Sequence, residues 1–306
     1  MGAFIRIFVI VTGILIQGLF PIVSFGAEAF KFRHVTSIYS DEQNLALRQP
    51  EGVAGNDASQ LIVADTGNGR LLRYTFENRE RVSKIQEIRV PQVLYPIKLG
   101  LNSRGEIYVL DRKRLRIVHL TPQGVFKKDL DLKAPTSPAQ IVPRSFHIDR
   151  KDNIYILDVL SGRVLVLDPA GQFRREIKFP RGKYYFSDLA VDFKGDIFLV
   201  DGINARVFRA AKGSTGFTPL TESLKQYMRF PTNITTDGRG IIYLTDRNGG
   251  KVVILGQDGA LIGRLSGMGW KEGFLNYPSQ VSINAKGEIF IADTLNSRVQ
   301  IFTIIE

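Results

Sequence analysis

The chain has 306 residues, of which 44% are hydrophobic and 23% are charged, a composition typical of a folded globular protein and not of a disordered one. It contains no cysteine, which excludes a disulfide scaffold, a thiol nucleophile and a zinc–thiolate site. Forty-one Lys and Arg against 30 Asp and Glu give a formal net charge of +11, which allows an anionic partner and implies no particular fold.

Residues 1–29 have the order of a secretory signal. A single cation, Arg6, precedes an apolar run over residues 7–20, and a proline and several small residues follow. A charged start, an apolar core and a small-residue cleavage site predict a signal peptide, so we expect a mature chain that begins within residues 27–30, in the periplasm or outside the cell. The alternative is a retained membrane anchor, because residues 7–25 approach the minimum length of a membrane span.

The rest of the chain repeats one pattern six times. In each copy an aspartate ends a short apolar run such as IYVLD, and successive aspartates are 43 to 47 residues apart. These aspartates are Asp65, Asp111, Asp158, Asp201, Asp246 and Asp293. The cations five positions after them are Arg70, Arg116, Arg163, Arg206, Lys251 and Arg298. We expect each aspartate and its cation to form a structural ion pair that fixes a loop, since a ligand rarely needs six copies of one site.

The repeat unit predicts an antiparallel meander of short strands joined by tight turns. Its second strand is apolar at nearly every position instead of alternating, so both of its faces must be covered. Repeats of this length with four strands each pack around a central axis in β-propellers. Six units of about 46 residues fill residues 30–306. We therefore predict an all-β protein, a six-bladed β-propeller of four-stranded antiparallel blades, with no second domain.

The two ends of the repeat array predict how the ring closes. The last copy stops at IFTIIE, residues 301–306, after its third strand, whereas earlier copies continue into a fourth strand. Residues 30–40 precede the first copy and have the character of a strand. We predict that they pair beside residues 298–304 as the outer strand of the last blade, which removes an open sheet edge.

Two parts of the array resemble the NHL repeat. PEGVA at 50–54 with ADTGNGRL at 64–71, and YPSQVSIN at 277–284 with ADTLNSRVQIF at 292–302, carry the resemblance. It implies a six-bladed β-propeller over residues 30–306, in which the stretch GMGWKEGFLNYP is similar to the link between blades of that family. Enzymes that resemble this fold use inner-strand histidines around zinc, and some NHL propellers bind RNA through a basic face.

The three histidines predict no metal or catalytic centre. His34 precedes the first repeat, His119 lies in a third strand and His147 lies in an innermost strand, so the three cannot converge on one metal ion. The sequence has no G-x-S-x-G motif and no Ser–His–Asp arrangement. We therefore expect no cofactor, no metal and no catalytic residue.

The innermost strands direct polar residues toward the axis of the ring. Positions two and four after the blade-initial proline alternate with apolar positions, so they share one face of each strand. The polar candidates on this face are Lys98, Ser145, His147, Asp188, Asn233 and Gln280. We predict that they converge at the channel mouth, where they line either a water-filled channel or a small-ligand site. A calcium site is a third interpretation, which Lys98 opposes because it brings a positive charge.

One face of the propeller is predicted to be basic. The loops between second and third strands lie on the same face as the links between blades in a propeller. The cations of these segments are Arg112, Lys113, Arg114, Arg181, Lys183 and Arg247. A basic surface attracts anions, so it is either a binding face for a protein, an anionic polymer or a lipid head group, or a solvated surface without a partner. We expect no nucleic-acid partner, because an exported chain does not meet RNA.

These observations predict an exported, non-catalytic binding or scaffold propeller that presents a basic loop face and a polar channel mouth to its partner. The alternative is a lyase or hydrolase with its active site at the channel mouth, built around His147 and Asp188. An inner-strand metal, or loss of an activity on substitution of His147, would favour the alternative.

Overall fold

The fold is a closed ring of six β-sheets, seen in a computed structural model that describes residues 31–132 and 140–305. Each sheet has four antiparallel strands, and the innermost strand of each sheet contacts the innermost strands of both neighbours in cyclic order. The predicted all-β, six-bladed propeller is therefore confirmed. The predicted signal segment over residues 1–29 lies outside the described residues.

In each blade the chain runs from the innermost strand outward. The chain enters with β1 (Lys31–Ile38), which joins the sixth blade. The first blade contains β2 (Gly52–Gly55), β3 (Gln60–Asp65), β4 (Arg70–Phe76) and β5 (Val82–Ile88). The second contains β6 (Pro96–Leu101), β7 (Ile107–Asp111), β8 (Arg116–Leu120) and β9 (Phe126–Asp129). The third contains β10 (Pro143–Ile148), β11 (Ile154–Asp158), β12 (Arg163–Leu167) and β13 (Phe173–Lys178).

The other three blades follow the same order. The fourth contains β14 (Phe186–Val191), β15 (Ile197–Asp201), β16 (Arg206–Ala210) and β17 (Thr218–Pro219). The fifth contains β18 (Pro231–Thr236), β19 (Ile242–Asp246), β20 (Lys251–Leu255) and β21 (Leu261–Leu265). The sixth contains β22 (Pro278–Ile283), β23 (Glu288–Asp293) and β24 (Arg298–Ile305), with β1 on its outer edge.

Ring closure occurs between the two ends of the repeat array, as predicted. Strand β1 runs antiparallel to β24, with Lys31 opposite Ile305 and Ile38 opposite Val299. This pairing covers the edge of the sixth blade, which its own third strand would otherwise leave open. Among the residues that the structure describes, no helix has the length and apolar character needed to cross a membrane.

The hydrophobic core lies mainly between neighbouring blades. Every residue of the second strand β7 is buried, whereas the outer strand β9 is mostly exposed. Between the sixth and first blades, Phe290 and Val299 pack with Val63 and Leu72. Gly55 fits against the Phe290 ring because it has no side chain, and a Cβ at this position would overlap the ring. The continuous apolar runs of the sequence therefore cover both faces of each blade.

The repeat aspartates fasten the links between blades. Each accepts a hydrogen bond from a backbone N–H of the link that precedes its blade. Arg48 N lies 2.7 Å from Asp65 Oδ1, for example, and Asn276 N lies 2.6 Å from Asp293 Oδ1. The six links are thus held by hydrogen bonds from their backbone N–H groups to the aspartate side chains, and these bonds do not require the cation five residues after each aspartate.

The predicted ion pairs form in half of the blades. The pairs are Arg70–Asp65 at 2.8 Å, Arg163–Asp158 at 3.0 Å and Arg298–Asp293 at 2.7 Å. In the second and fourth blades the cation turns outward, and it pairs with Asp129 at 2.7 Å or with Glu222 at 3.3 Å. The expectation of one ion pair for every repeat is therefore wrong for three blades. In the second and fourth blades an acid nearer the rim provides a better-placed partner, and in the fifth blade, within the part of the chain that the structure describes, Lys251 lies opposite Asp246 without forming an ion pair with it.

Candidate functional site at the loop end of the ring

The two ends of the ring are built from different connections. The loop end bears the links between blades and the loops between second and third strands, which are residues 66–69, 112–115, 159–162, 202–205, 247–250 and 294–297. The turn end bears the tight turns between first and second strands and between third and fourth strands. Each end opens into a cavity on the ring axis.

A network of polar side chains closes the axis between the two cavities. Asp188 on β14 is its centre, and 2% of this side chain is exposed. Asp188 Oδ1 accepts hydrogen bonds from Lys98 Nζ and Ser145 Oγ, and Oδ2 accepts bonds from Asn233 Nδ2 and from Ile234 N at 3.0 Å. The carboxylate therefore has four donors, and its charge is balanced by a lysine from a blade that is not adjacent.

Gln280 extends this network around the axis. Its Oε1 accepts bonds from Val53 N at 3.2 Å and Leu99 N at 3.1 Å, and its Nε2 donates to Leu99 O at 2.8 Å. Asn233 Oδ1 accepts a bond from Val281 N at 2.9 Å. Lys98, Asn233 and Gln280 line both cavities. The network is thus a polar floor that ties the inner strands together and separates the two mouths.

The loop-end cavity has a volume of about 400 Å³, a size suited to a small ligand. Three arginines stand at its mouth. Arg112 Nη2 lies 3.1 Å from Glu51 Oε2, and the Arg144 guanidinium lies 4.6 Å from the centroid of the Tyr185 ring and bonds to its hydroxyl. The Arg247 guanidinium lies 6.0 Å from the centroid of the Tyr277 ring. Acidic and aromatic neighbours therefore position the guanidinium groups.

The turn-end cavity has a volume of about 600 Å³ and is lined by His147. Burial, together with the nearby Lys98 ammonium, lowers the pKa of His147 to about 4. Three of the carboxylates that line this cavity, those of Asp149, Asp192 and Asp237, close turns; Asp149 Oδ1, for example, accepts bonds from Lys151 N and Asn153 N, both at 2.8 Å. Within residues 31–132 and 140–305, no three His, Cys, Asp or Glu side chains are grouped to hold a metal ion.

The structure brings five of the six predicted channel residues together. Lys98, Ser145, Asp188, Asn233 and Gln280 form the polar floor. His147 lies two residues beyond Ser145 on β10 and lines the opposite cavity, so it does not belong to the same mouth. The role of these residues in ligand binding stays a prediction.

The six predicted basic-face residues all belong to loop-end segments. Arg112, Lys113 and Arg114 lie between β7 and β8, Arg181 and Lys183 lie in the link before β14, and Arg247 follows β19. Arg112 and Arg247 line the cavity, whereas the other four side chains are exposed on the surface around it. A partner for this surface stays a prediction as well.

The residues that sequence analysis missed occupy the first position after the blade-initial proline. The residues of this column that line the loop-end cavity are Glu51, Ile97, Arg144, Ser187, Thr232 and Ser279. Five inner strands have a register shift at this point, for example between Pro143 and Ser145. A bulge places two successive residues opposite one residue of the partner strand, which breaks strict alternation. A proline precedes this column in five blades and is the signal that marks it; in the fourth blade Phe186 takes the place of the proline.

Solved propellers match nearly the whole chain. A streptogramin B lyase aligns with a TM-score of 0.66 and 12% identity, over 91% of this chain and 99% of the lyase. A gluconolactonase from Xanthomonas campestris aligns with a TM-score of 0.67 and 12% identity, over 92% of this chain and 93% of the enzyme. A protein of unknown function from Bacteroides thetaiotaomicron gives 0.69 and 13%, over 90% and 76%. At these identities the similarity establishes the fold alone.

Sequence comparison points to the same architecture. The NHL repeat model matches residues 275–302, which run from the link before β22 into β24. No curated protein sequence matches the chain. The chain is therefore a closed ring of six four-stranded blades, a six-bladed β-propeller, whose sixth blade matches the NHL repeat.

Proposed function

We propose that the protein is an exported, non-catalytic propeller that binds an anionic small molecule, or an anionic group of a larger partner, in the loop-end cavity. Carboxylates and phosphates are the ligand groups that such a site selects, because arginine presents a planar fork of N–H donors to them. The signal peptide expected in residues 1–29 supports a location in the periplasm or outside the cell, where the protein would meet this ligand.

The charge of the cavity is the observation that carries the proposal. Four cations and two carboxylates line it, which leaves an excess of two positive charges. Asp188 is occupied by Lys98 on the floor, and Glu51 is paired with Arg112 at the mouth. The excess therefore comes from Arg144 and Arg247, beside aromatic rings that lower local solvation. An entering anion gains two guanidinium partners without breaking an existing ion pair.

The alternative, a lyase or hydrolase, requires His147 and Asp188 to act on one substrate. Asp188 has both oxygens bonded to four donors, and it lines the loop-end cavity, whereas His147 lines the turn-end cavity. A carboxylate has about four lone-pair sites, and all of those of Asp188 are occupied, so none is free to accept a proton from a substrate. This arrangement favours binding over catalysis at the loop-end mouth.

Isothermal titration calorimetry with citrate and with inorganic phosphate tests the proposal. Arg144→Gln should weaken binding of the better probe by at least about tenfold, the cost of one charge-assisted hydrogen bond. Arg144→Lys should restore only part of the affinity, because lysine keeps the charge and loses the planar fork.

The matched control is Lys194→Gln, which removes one positive charge at the turn end. Lys194 bonds to Gln257 Oε1 at 2.8 Å and lies far from the loop-end mouth in the topology of the blade. Equal losses of affinity in the Arg144 and Lys194 variants would show that binding responds to the net charge of the protein and not to the cavity. Absence of binding of both probes to the unmodified protein at low ionic strength would overturn the proposal.

A further inference from the structure

Large apolar side chains are exposed around the loop end. Most of the exposed large hydrophobic residues of the described chain lie on loop-end segments. Six of them, from four different blades and one link, are Leu115, Leu160, Ile203, Trp270, Phe274 and Leu295. Trp270, the single tryptophan of the protein, is 79% exposed, and Ile203 is 58% exposed. These apolar side chains are gathered at one end of the ring, where a partner could bury several of them together.

The backbone beneath Trp270 is held in place. Arg298, which is 3% exposed, donates from Nη2 to Lys271 O and Phe274 O, both at 2.8 Å. Asn296 Nδ2 donates to Gly269 O at 2.9 Å. These polar side chains hydrogen-bond to the backbone of the link on both sides of Trp270. Trp270 is therefore exposed on a segment whose backbone is held in place.

Cations stand between these apolar side chains. Lys113 and Arg114 precede Leu115, Lys271 follows Trp270, and Arg181 and Lys183 lie in the link between the third and fourth blades; all five are exposed. The loop end therefore combines exposed aliphatic and aromatic side chains with exposed Lys and Arg side chains between them. This is the composition of protein surfaces that rest in the head-group region of an anionic bilayer.

We propose that the loop end docks onto the surface of an anionic phospholipid bilayer. Leu115, Leu160, Ile203, Trp270 and Leu295 enter the boundary between head groups and acyl chains, and the cations contact lipid phosphates. A bilayer is favoured because the apolar tips come from separate blades around a central cavity. A flat and deformable partner meets all of them at once, whereas a globular protein fits one contiguous patch.

This inference goes beyond the ligand of the central cavity and does not depend on it. Arg144 lies inside the mouth and is not among the exposed tips, so its substitution tests the cavity without changing the docking surface. Each exposed Lys or Arg near an anionic membrane contributes about fivefold in affinity, and this contribution decays within a Debye length.

Fluorescence of Trp270 provides the test, since the chain contains one tryptophan. The full chain is titrated with vesicles of phosphatidylglycerol and phosphatidylcholine, and with vesicles of phosphatidylcholine alone. We expect a blue shift of the emission and protection from acrylamide quenching with the anionic vesicles, and loss of both at high salt. A retained N-terminal anchor would bring the chain to every vesicle without burying Trp270, so the reporter separates the two modes of attachment.

Variants that leave Trp270 intact identify the face. Leu115→Ser combined with Leu295→Ser should raise the lipid concentration for half-maximal shift by at least about tenfold, because two aliphatic anchors are lost. The matched control, Val125→Ser with Phe193→Ser, removes two exposed apolar side chains of the turn end and should leave the titration unchanged. Unchanged emission with anionic vesicles at low salt would overturn docking on a bilayer and favour an acidic protein as the partner. Equal shifts with neutral vesicles would overturn the role of the cations.

Discussion

The two ends of this propeller use their charged residues differently. At the turn end, cations pair with acids a few residues away: Arg104 lies 2.9 Å from Glu106, and Arg239 lies 2.9 Å from Asp237. At the loop end, the guanidinium groups of Arg144 and Arg247 lie over aromatic rings at the cavity mouth. These turn-end cations are neutralised by acids of the same turn, whereas Arg144 and Arg247 contact aromatic rings and keep their positive charge at the cavity mouth.

The difference follows from where each end obtains its stability. Turn-end side chains close hairpins themselves; Asp237 Oδ1, for example, accepts bonds from Arg239 N at 2.9 Å and Ile241 N at 3.0 Å. At the loop end, buried aspartates such as Asp293 lie beneath the surface and stabilise the links between blades by accepting hydrogen bonds from their backbone. The loop residues at the surface are therefore free to vary in sequence, which is consistent with the binding role that we propose for the loop end.

The largest difference between the two ends is expected in the free energy of unfolding, when an aspartate is removed from each end in turn. Asp293→Ala deletes the partner of Arg298 at 2.7 Å and of Asn276 N at 2.6 Å, and it leaves the guanidinium buried without its carboxylate. We expect a loss of about 3–5 kcal/mol in the free energy of unfolding. Asp237→Ala at the turn end removes a turn cap and should cost about 1 kcal/mol. Chemical denaturation of both variants measures the two values, and equal losses would contradict a loop end supported from below.

A smaller effect is expected from pH at the turn-end cavity. Burial lowers the pKa of His147 to about 4, against the ordinary value of 6.5, so the folded state binds this proton less tightly than the unfolded state. The contribution of His147 to the free energy of unfolding is therefore fully present above pH 6.5. It decreases as the pH falls from 6.5 toward 4, and it no longer changes below pH 4. The total contribution is up to about 3 kcal/mol.

His147→Gln isolates this contribution, because glutamine keeps polar bonding capacity and does not titrate. Denaturation of both proteins between pH 7 and pH 4 should show a shallower loss of stability in the variant. Lys98, Asp188 and Asp149 are the charged groups that act on the imidazole, and an NMR titration of His147 reports its pKa directly. Parallel stability curves would show that His147 titrates normally in the folded protein.

The smallest change in stability is expected from reversal of exposed loop-end charges. Arg112, Lys113 and Arg114 are exposed, so their combined replacement by Glu should change the free energy of unfolding by about 1 kcal/mol or less. The same variant should slow the association with an anionic partner, because the steering field is lost. Replacement of Lys194 and Lys286 by Glu at the turn end is the control, with little effect on association. A large loss of stability in the loop-end variant would show that its cations are structural.

The repeat spacing was sufficient to predict the blades and the closure of the ring. A continuous apolar second strand has to be covered on both faces, and a missing fourth strand has to be supplied from the other end of the array. Both requirements can be recognised in the sequence, because unburied apolar side chains and an unpaired sheet edge are each unfavourable in water. The pairing of Lys31 with Ile305, and the burial of every residue of β7, follow from them.

The site depended on tertiary structure at three points. The alternation of polar and apolar residues along the inner strands predicts that Lys98, Ser145 and Asp188 face the axis. Their hydrogen bonds to one another depend on how far each side chain reaches from its own blade to another, which the spacing of residues in the sequence does not determine. The bulge after Pro143 brought Arg144 into the cavity, because an extra residue breaks the period of two. His147 was separated from the floor for the opposite reason: two residues farther along a regular strand is about 7 Å, enough to reach the other side of a thin polar floor.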